Sequence, residues 1–166
     1  DWESRANPGQ HYQIYCGTPP IQHLWAMREA LDMLFEEGID NVWKRHEILA
    51  SAVRAAVEAW SCPNGLSFNI ADPRSRSNSV TTVLTGDVDA SELRRVAETE
   101  AGLTLGIGLD EFVSRAFRIG HMGHLNPPMV LGTIGTIEAV LTKMKAPVGG
   151  SGSAAAAAVI LSLIHI

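Results

Sequence analysis

The stretch that decides the fold runs from residue 116 to residue 129 and reads AFRIGHMGHLNPPM. Its first five residues are apolar apart from Arg118, and strand periodicity places this arginine opposite its apolar neighbours. Asn126 then caps, and Pro127 opens, a long helix that should reach about Met144. A strand followed at once by such a helix indicates helices packed on a sheet.

The segments upstream extend this pattern. Alternating apolar residues or Val- and Thr-rich runs predict further strands over 66–70, 79–85 and 103–109. Between the second and third of them, Asp89 caps a helix that stops at Gly102. The order after residue 60 is therefore β-β-α-β-β-α. It predicts an α+β two-layer sandwich, with a small, mostly antiparallel sheet and helices on one face.

Two long helices are predicted before the sheet. Pro19 and Pro20 open the first, and Gly38 ends it as a left-handed stop. Asp40 caps the second, which should end near Ser61.

Composition bounds the class of protein. With 46% hydrophobic and 19% charged residues the chain is globular, and its net charge of -5 disfavours nucleic-acid binding. It contains neither a run of about 18 apolar residues, as a membrane span requires, nor a visible signal peptide. Cys16 and Cys62 cannot form a disulfide framework and lack CxxC spacing. We therefore expect a cytoplasmic protein that contacts neither membrane nor nucleic acid.

Arg118 is the most informative candidate site residue, because an unpaired buried charge is very costly. One interpretation is a structural salt bridge to a carboxylate of the protein. The other is a fork that binds a ligand carboxylate or phosphate through two hydrogen bonds. The residues alone leave both open.

The residues from Tyr15 to Pro20 form a second candidate. A glycine and a threonine before a proline-initiated helix offer backbone N–H groups and a hydroxyl to an anion. The simpler interpretation is that Thr18 only caps the helix.

Two other motifs are weak. His121 and His124 form HxxH but have no third metal ligand nearby, so local hydrogen bonding is favoured and no metal is expected. Gly106 and Gly108 suggest a phosphate-binding turn, but the third glycine of GxGxxG is absent and the pair follows a predicted helix.

Four segments carry a family resemblance: GTPPIQHLWAMREAL (17–31), EEGIDNVW (36–43), FRIGHMG (117–123) and NPPM (126–129). With these, residues from about 12 to 153 resemble the C-terminal part of the class V, fold-type I aminotransferases that use pyridoxal phosphate. The resemblance is strongest to the alanine–glyoxylate and serine–glyoxylate (serine–pyruvate) aminotransferases. It implies amino-group transfer between a small amino acid and a 2-oxo acid, by a homodimer.

The resemblance also assigns roles to residues. Arg118 matches the arginine that holds the substrate's α-carboxylate. Tyr15 and Thr18 match residues that reach the cofactor phosphate of the neighbouring subunit. The lysine that carries the cofactor as a Schiff base is expected upstream of Asp1, since Lys44, Lys143 and Lys145 match no such motif.

Without that lysine we expect the isolated chain to be inactive. Two alternatives stay open. One is a pyridoxamine–pyruvate type of class V aminotransferase, and the other is a non-catalytic α+β binding module.

The resemblance implies a division of the chain into four parts. Residues 1–38 would end the large cofactor-binding domain, 39–62 would form a connecting helix, and 63–148 would form the small C-terminal domain. Residues 149–166 read as a low-complexity tail or frayed helix, whose last five residues are interpreted as read-through of foreign sequence. In the isolated chain, apolar residues of the first helix should be exposed, namely Ile21, Leu24, Trp25 and Leu31.

Overall fold

A computed structural model of the chain describes residues 18–163. The chain divides into two compact units, Asp1–Val42 and Trp43–Ile166. This division lies four residues beyond the predicted boundary at residue 38. The first part of the predicted connecting helix thus belongs to one unit, and the rest of that helix belongs to the other.

The described residues contain five α-helices and four strands. The helices are α1 (Ile21–Glu37), α2 (Ile39–Trp60), α3 (Ala90–Ala101), α4 (Pro127–Lys143) and α5 (Gly152–Leu163). The strands are β1 (Ser67–Phe68), β2 (Val80–Leu84), β3 (Gly106–Ile107) and β4 (Ala116–Gly120). Within 18–163, no helix is both long enough and apolar enough to cross a membrane.

The strands form one antiparallel sheet in the order β1-β2-β4-β3. Val83, Phe117 and Ile119 are buried on one face of it, together with apolar side chains of α2 to α5. Arg118 and Thr82 lie opposite each other on the other, half-buried face. The predicted α+β architecture, with helices on one face of a small sheet, is confirmed.

Local signals set most helix ends. Asp89 caps α3 by accepting hydrogen bonds from Ser91 N and Glu92 N, and Gly102 ends that helix in the left-handed conformation. Asn126 accepts a hydrogen bond from Met129 N at the start of α4. The expected cap by Asp40 is wrong, because α2 begins at Ile39 and Asp40 lies within its first turn.

The strands are shorter than predicted. The run over 103–109 pairs only at Gly106 and Ile107, and the run over 66–70 pairs as a strand only at Ser67 and Phe68. Leu105 is nevertheless buried. An apolar side chain can pack on the core without a hydrogen-bonded ladder beneath it, so alternation alone overestimates the length of a strand.

The stretch that was expected to be a flexible tail or a frayed helix forms α5. Gly152, Ala156 and Ile160 are buried, and α5 packs beside α4. The carboxylate of Glu138 on α4 accepts hydrogen bonds from Ser153 N at 2.8 Å, Ser151 Oγ at 2.8 Å and Trp60 Nε1 at 3.2 Å. Burial by itself raises the pKa of Glu138, but these hydrogen bonds outweigh it and hold the pKa below the usual value.

In α1 the apolar side chains are exposed, as the sequence predicts. No residue of α1 is buried. Ile21, Leu24, Trp25 and Leu31 are all more than two-fifths exposed, and Phe35 is 74% exposed. These five residues fall on one side of the helix at 100° per residue, and they are called the α1 stripe below.

Candidate functional site

The sheet register fixes the position of Arg118. The arginine lies in the middle of β4, opposite Thr82 of β2 on one side and opposite Gly106 of β3 on the other. Its neighbours Phe117 and Ile119 are buried towards the helices, whereas Arg118 is half-buried on the opposite face. The backbone of Arg118 is therefore held from both sides while its side chain faces outward.

One nitrogen of the Arg118 guanidinium is already bound. Nε donates a hydrogen bond to the carbonyl oxygen of Ile107 at 2.7 Å. Within residues 18–163, no carboxylate forms an ion pair with Arg118, and its two terminal nitrogens make no hydrogen bond. The salt-bridge interpretation therefore has no support among the described residues, and the ligand-binding interpretation of Arg118 stays open.

Arg118 lines a cavity of about 310 Å³. The side chains that share this lining are apolar or carry a hydroxyl, among them Leu103, Thr104, Met122 and Thr133. Among the described residues of the lining, Arg118 carries the only formal charge. A single cationic fork in uncharged surroundings suits a small anion with one carboxylate, because a second carboxylate would find no second cation.

Among residues 18–163, no lysine that could form a Schiff base with a carbonyl lines the cavity. None of Lys44, Lys143 and Lys145 lines it, and Lys143 forms an ion pair with Glu100 instead. The described residues can therefore bind and orient a carboxylate. They do not supply the amine that pyridoxal phosphate requires.

Of the two residues predicted to contact the cofactor phosphate, only Thr18 lies within the described part of the chain. Tyr15 lies outside the described residues. Thr18 is exposed and precedes α1, whose N-cap is Pro20 and has no side-chain hydrogen bond. The simpler interpretation of Thr18 as a helix cap is therefore wrong.

The two histidines of HxxH have separate environments. His121 is fully buried, with Nδ1 at 3.0 Å from the Asn78 carbonyl oxygen and Nε2 at 2.9 Å from Thr81 Oγ1. Since a carbonyl only accepts, Nδ1 carries the proton and Nε2 accepts from the threonine hydroxyl. His124 is exposed. Over 18–163 there is no cluster of three residues that could hold a metal ion.

Burial of His121 predicts a pH dependence of stability. Burial lowers the pKa of His121 below 6.5, and the nearby Arg54 and His46 lower it further, against the hydrogen bond to Asn78. The unfolded chain takes up the proton at higher pH than the folded chain. The free energy of unfolding is therefore largest above pH 6.5 and falls below it, by at most about 1.4 kcal/mol per pH unit.

Urea unfolding at pH 7.5, 6.5 and 5.5 measures this dependence. The variant His121→Gln is expected to be less stable at pH 7.5 and to lose less stability between pH 6.5 and 5.5. An identical pH dependence in the variant would assign the effect to other groups.

The partners of Arg118 were not predicted from the sequence. They are Gly106, opposite the arginine, and the carbonyl oxygen of Ile107, which accepts from its Nε. The predicted strand over 103–109 was the one feature of the sequence that could have indicated these partners. Which of its residues lies opposite Arg118 depends on the register between the two strands, which packing sets and neither strand alone encodes.

Known proteins resemble this chain over most of its length. The serine–glyoxylate aminotransferase of Methylorubrum extorquens is 41% identical over 160 residues, which are 94% of this chain and 38% of that protein. The Arabidopsis thaliana serine–glyoxylate aminotransferase is 43% identical, over 84% of this chain and 34% of its own length. The crystal structure of pyridoxamine–pyruvate aminotransferase from Mesorhizobium loti superposes with a TM-score of 0.79 at 32% identity, covering 87% of this chain and 37% of its own.

No family model matches the chain. The chain spans a little over a third of the length of these relatives. Two serine–glyoxylate aminotransferases are alike in sequence over more than four-fifths of it, and a solved aminotransferase shares its fold. The similarity in sequence and the similarity in fold point to the same family as the motifs around Arg118, and the chain accordingly belongs to the class V aminotransferases, of which it represents a part.

Proposed function

We propose that the chain is the substrate-carboxylate-binding, C-terminal part of an aminotransferase that uses pyridoxal phosphate. The whole enzyme would move an amino group from serine or alanine to glyoxylate or another 2-oxo acid. The observation that carries this proposal is Arg118, whose two terminal nitrogens are unpaired within residues 18–163 and which is the only charged residue in the described lining of the cavity. The similarity to serine–glyoxylate aminotransferases supports the choice of substrates.

Arg118 would orient the substrate rather than take part in bond making. Two parallel N–H···O bonds fix the plane of a carboxylate as well as its position. With the carboxylate fixed, the direction of the bonds at the α-carbon follows. Pyridoxal phosphate, when bound, supplies the electron sink for this chemistry. The lysine that holds it would come from a part of the enzyme outside the residues described here.

A second candidate has a specific observation in its favour. The pyridoxamine–pyruvate aminotransferase structure superposes with a TM-score of 0.79, and a curated relative of the same activity is 34% identical over 78% of this chain. Both candidates need a carboxylate fork, because glyoxylate and pyruvate are both 2-oxo acids.

The two candidates separate by amino donor. The enzyme that contains this chain is assayed with serine, alanine or pyridoxamine as donor, and with glyoxylate or pyruvate as acceptor. Turnover of serine or alanine with glyoxylate supports the proposal, and turnover of pyridoxamine with pyruvate supports the second candidate. Binding of carboxylates without turnover of any pair would favour a non-catalytic binding module.

We further propose that the enzyme is a homodimer in the cytoplasm. The α1 stripe exposes five large apolar side chains, with the exposed Arg28–Asp32 ion pair among them, and a second copy would cover it. The free thiol of Cys62 is consistent with a reducing compartment.

The α1 stripe predicts self-association of the 166-residue chain. Trp25 and Phe35 are 68% and 74% exposed, and burying two aromatic side chains stabilises an interface substantially. Sedimentation velocity over a range of concentrations should show reversible dimers or larger species. The double variant Trp25→Ser, Phe35→Ser should weaken dimerisation by more than roughly tenfold.

The matched control is Leu161→Ser on α5, where the leucine is 67% exposed but lies outside the stripe. We expect it to leave self-association unchanged. A monomeric chain at all concentrations, or equal effects of both changes, would contradict a role for the stripe.

A further inference from the structure

Gly106 lies directly beside the side chain of Arg118. The two residues are partners across β3 and β4. A Cβ atom placed on Gly106 would lie 3.0 Å from Arg118 Cβ, 3.3 Å from its carbonyl oxygen and 3.5 Å from its Nε. The first two distances are shorter than ordinary van der Waals contacts, so any residue with a side chain would crowd the stem of the arginine.

The requirement for glycine at this position concerns space and not backbone conformation. Gly38, Gly86, Gly102 and Gly123 have positive φ angles, but Gly106 does not. An alanine could adopt the backbone conformation of Gly106 without strain. Its Cβ would instead displace the side chain of Arg118, which lies opposite.

The bare position leaves room for a particular arrangement of Arg118. The side chain extends over β3, and Nε reaches the carbonyl oxygen of Ile107, the residue next to Gly106. That hydrogen bond occupies the inner nitrogen of the guanidinium and fixes its orientation. The two terminal nitrogens are then left together as a fork, on a residue that lines the cavity.

We infer that Gly106 is a positioning residue, which by having no side chain holds the Arg118 fork in the orientation that receives the substrate carboxylate. The inference rests on the proposed function of Arg118. A fork held in place in advance binds more tightly than one that must be ordered by each substrate. Gly106, which also lines the cavity, thereby affects affinity for the carboxylate through the position of Arg118.

Gly106→Ala tests the inference in two ways. In the ¹H–¹⁵N spectrum of the 166-residue chain, the Nε–H signal of Arg118 is assigned by its loss in Arg118→Ala. Its hydrogen exchange should be slowed in the original chain, and Gly106→Ala should abolish that protection. In the enzyme that contains the chain, Gly106→Ala should raise KM for serine and glyoxylate by roughly 3- to 10-fold, with kcat changed much less.

Gly132→Ala is the matched control, because a Cβ at Gly132 on α4 would meet nothing within 4 Å. We expect it to leave the Arg118 signal and both KM values unchanged. Thermal unfolding of the two variants shows whether an effect of Gly106→Ala is a general loss of stability.

The outcomes separate the inference about Gly106 from the proposed function of Arg118. Retained protection of the Arg118 Nε–H in Gly106→Ala overturns the inference. Lost protection with unchanged KM also overturns it, and it leaves the proposed function intact provided that Arg118→Ala still raises KM. If Arg118→Ala leaves KM unchanged, the proposed function of Arg118 fails and the inference fails with it.

Discussion

Replacing Arg118 with alanine is expected to lower kcat/KM for the amino donor and for the 2-oxo acid alike. The change removes both terminal N–H donors of the fork, and no other charged group in the described lining of the cavity replaces them. Loss of a bidentate, charge-assisted pair costs on the order of 2–4 kcal/mol, or roughly 30- to 700-fold in kcat/KM. Steady-state kinetics of the enzyme that contains this chain measures the effect, with most of it expected in KM.

Two further variants test whether the loss of kcat/KM comes from the fork and not from the loss of any arginine. Arg118→Lys keeps the charge but not the planar geometry, so its loss should be smaller than that of alanine but still clear. Arg74→Ala changes an exposed arginine that pairs with Asp72 and does not line the cavity, and it should leave the kinetics unchanged. Normal kinetics in Arg118→Ala would remove this arginine from the substrate site.

Gly86→Ala is expected to lower the free energy of unfolding by roughly 3–5 kcal/mol. Gly86 has φ of 59°, a region that residues with a Cβ atom occupy only with strain. Its added Cβ would also collide with the Asn64 carbonyl and lie 2.6 Å from the Gly65 carbonyl oxygen. These are backbone atoms, and the hydrogen bond from Asp87 N to Asn64 O holds the two segments together at 3.0 Å.

Gly102→Ala separates the two contributions. Gly102 has φ of 66°, but a Cβ there would meet nothing within 4 Å. The control should therefore show only the backbone strain, about 1–2 kcal/mol. Urea unfolding followed by circular dichroism gives both values. A loss in Gly86→Ala no larger than that in Gly102→Ala would show that the segment around residue 64 moves aside.

Signals that act within a few residues were read correctly from the sequence. Asp89 and Asn126 accept hydrogen bonds from backbone N–H groups two or three residues ahead, and Gly102 adopts a left-handed conformation at the end of α3. The exposed α1 stripe also follows from the sequence, because its period is that of a helix. Such features depend only on chemistry that is local in the chain.

Features that depend on distant residues were not predicted. The alanine-rich stretch at 154–158 favours a helix by propensity, but its docking depends on Glu138, fifteen residues before Ser153. Likewise, the length of β3 depends on how much of β4 lies beside it. The sequence of α5 alone does not show its contact with Glu138, and the sequence of β3 alone does not show its pairing with β4.

For the candidate site, the sequence by itself determined that an arginine stands in the middle of an apolar strand, on the face away from its apolar neighbours. The motifs around that strand also determined which protein family the chain resembles, and hence the role expected for this arginine. Only the tertiary structure decided that Gly106 lies opposite Arg118 and that the Ile107 carbonyl binds its Nε. The physical reason is that strand register is fixed by the packing of the whole sheet on its helices, which no single segment encodes.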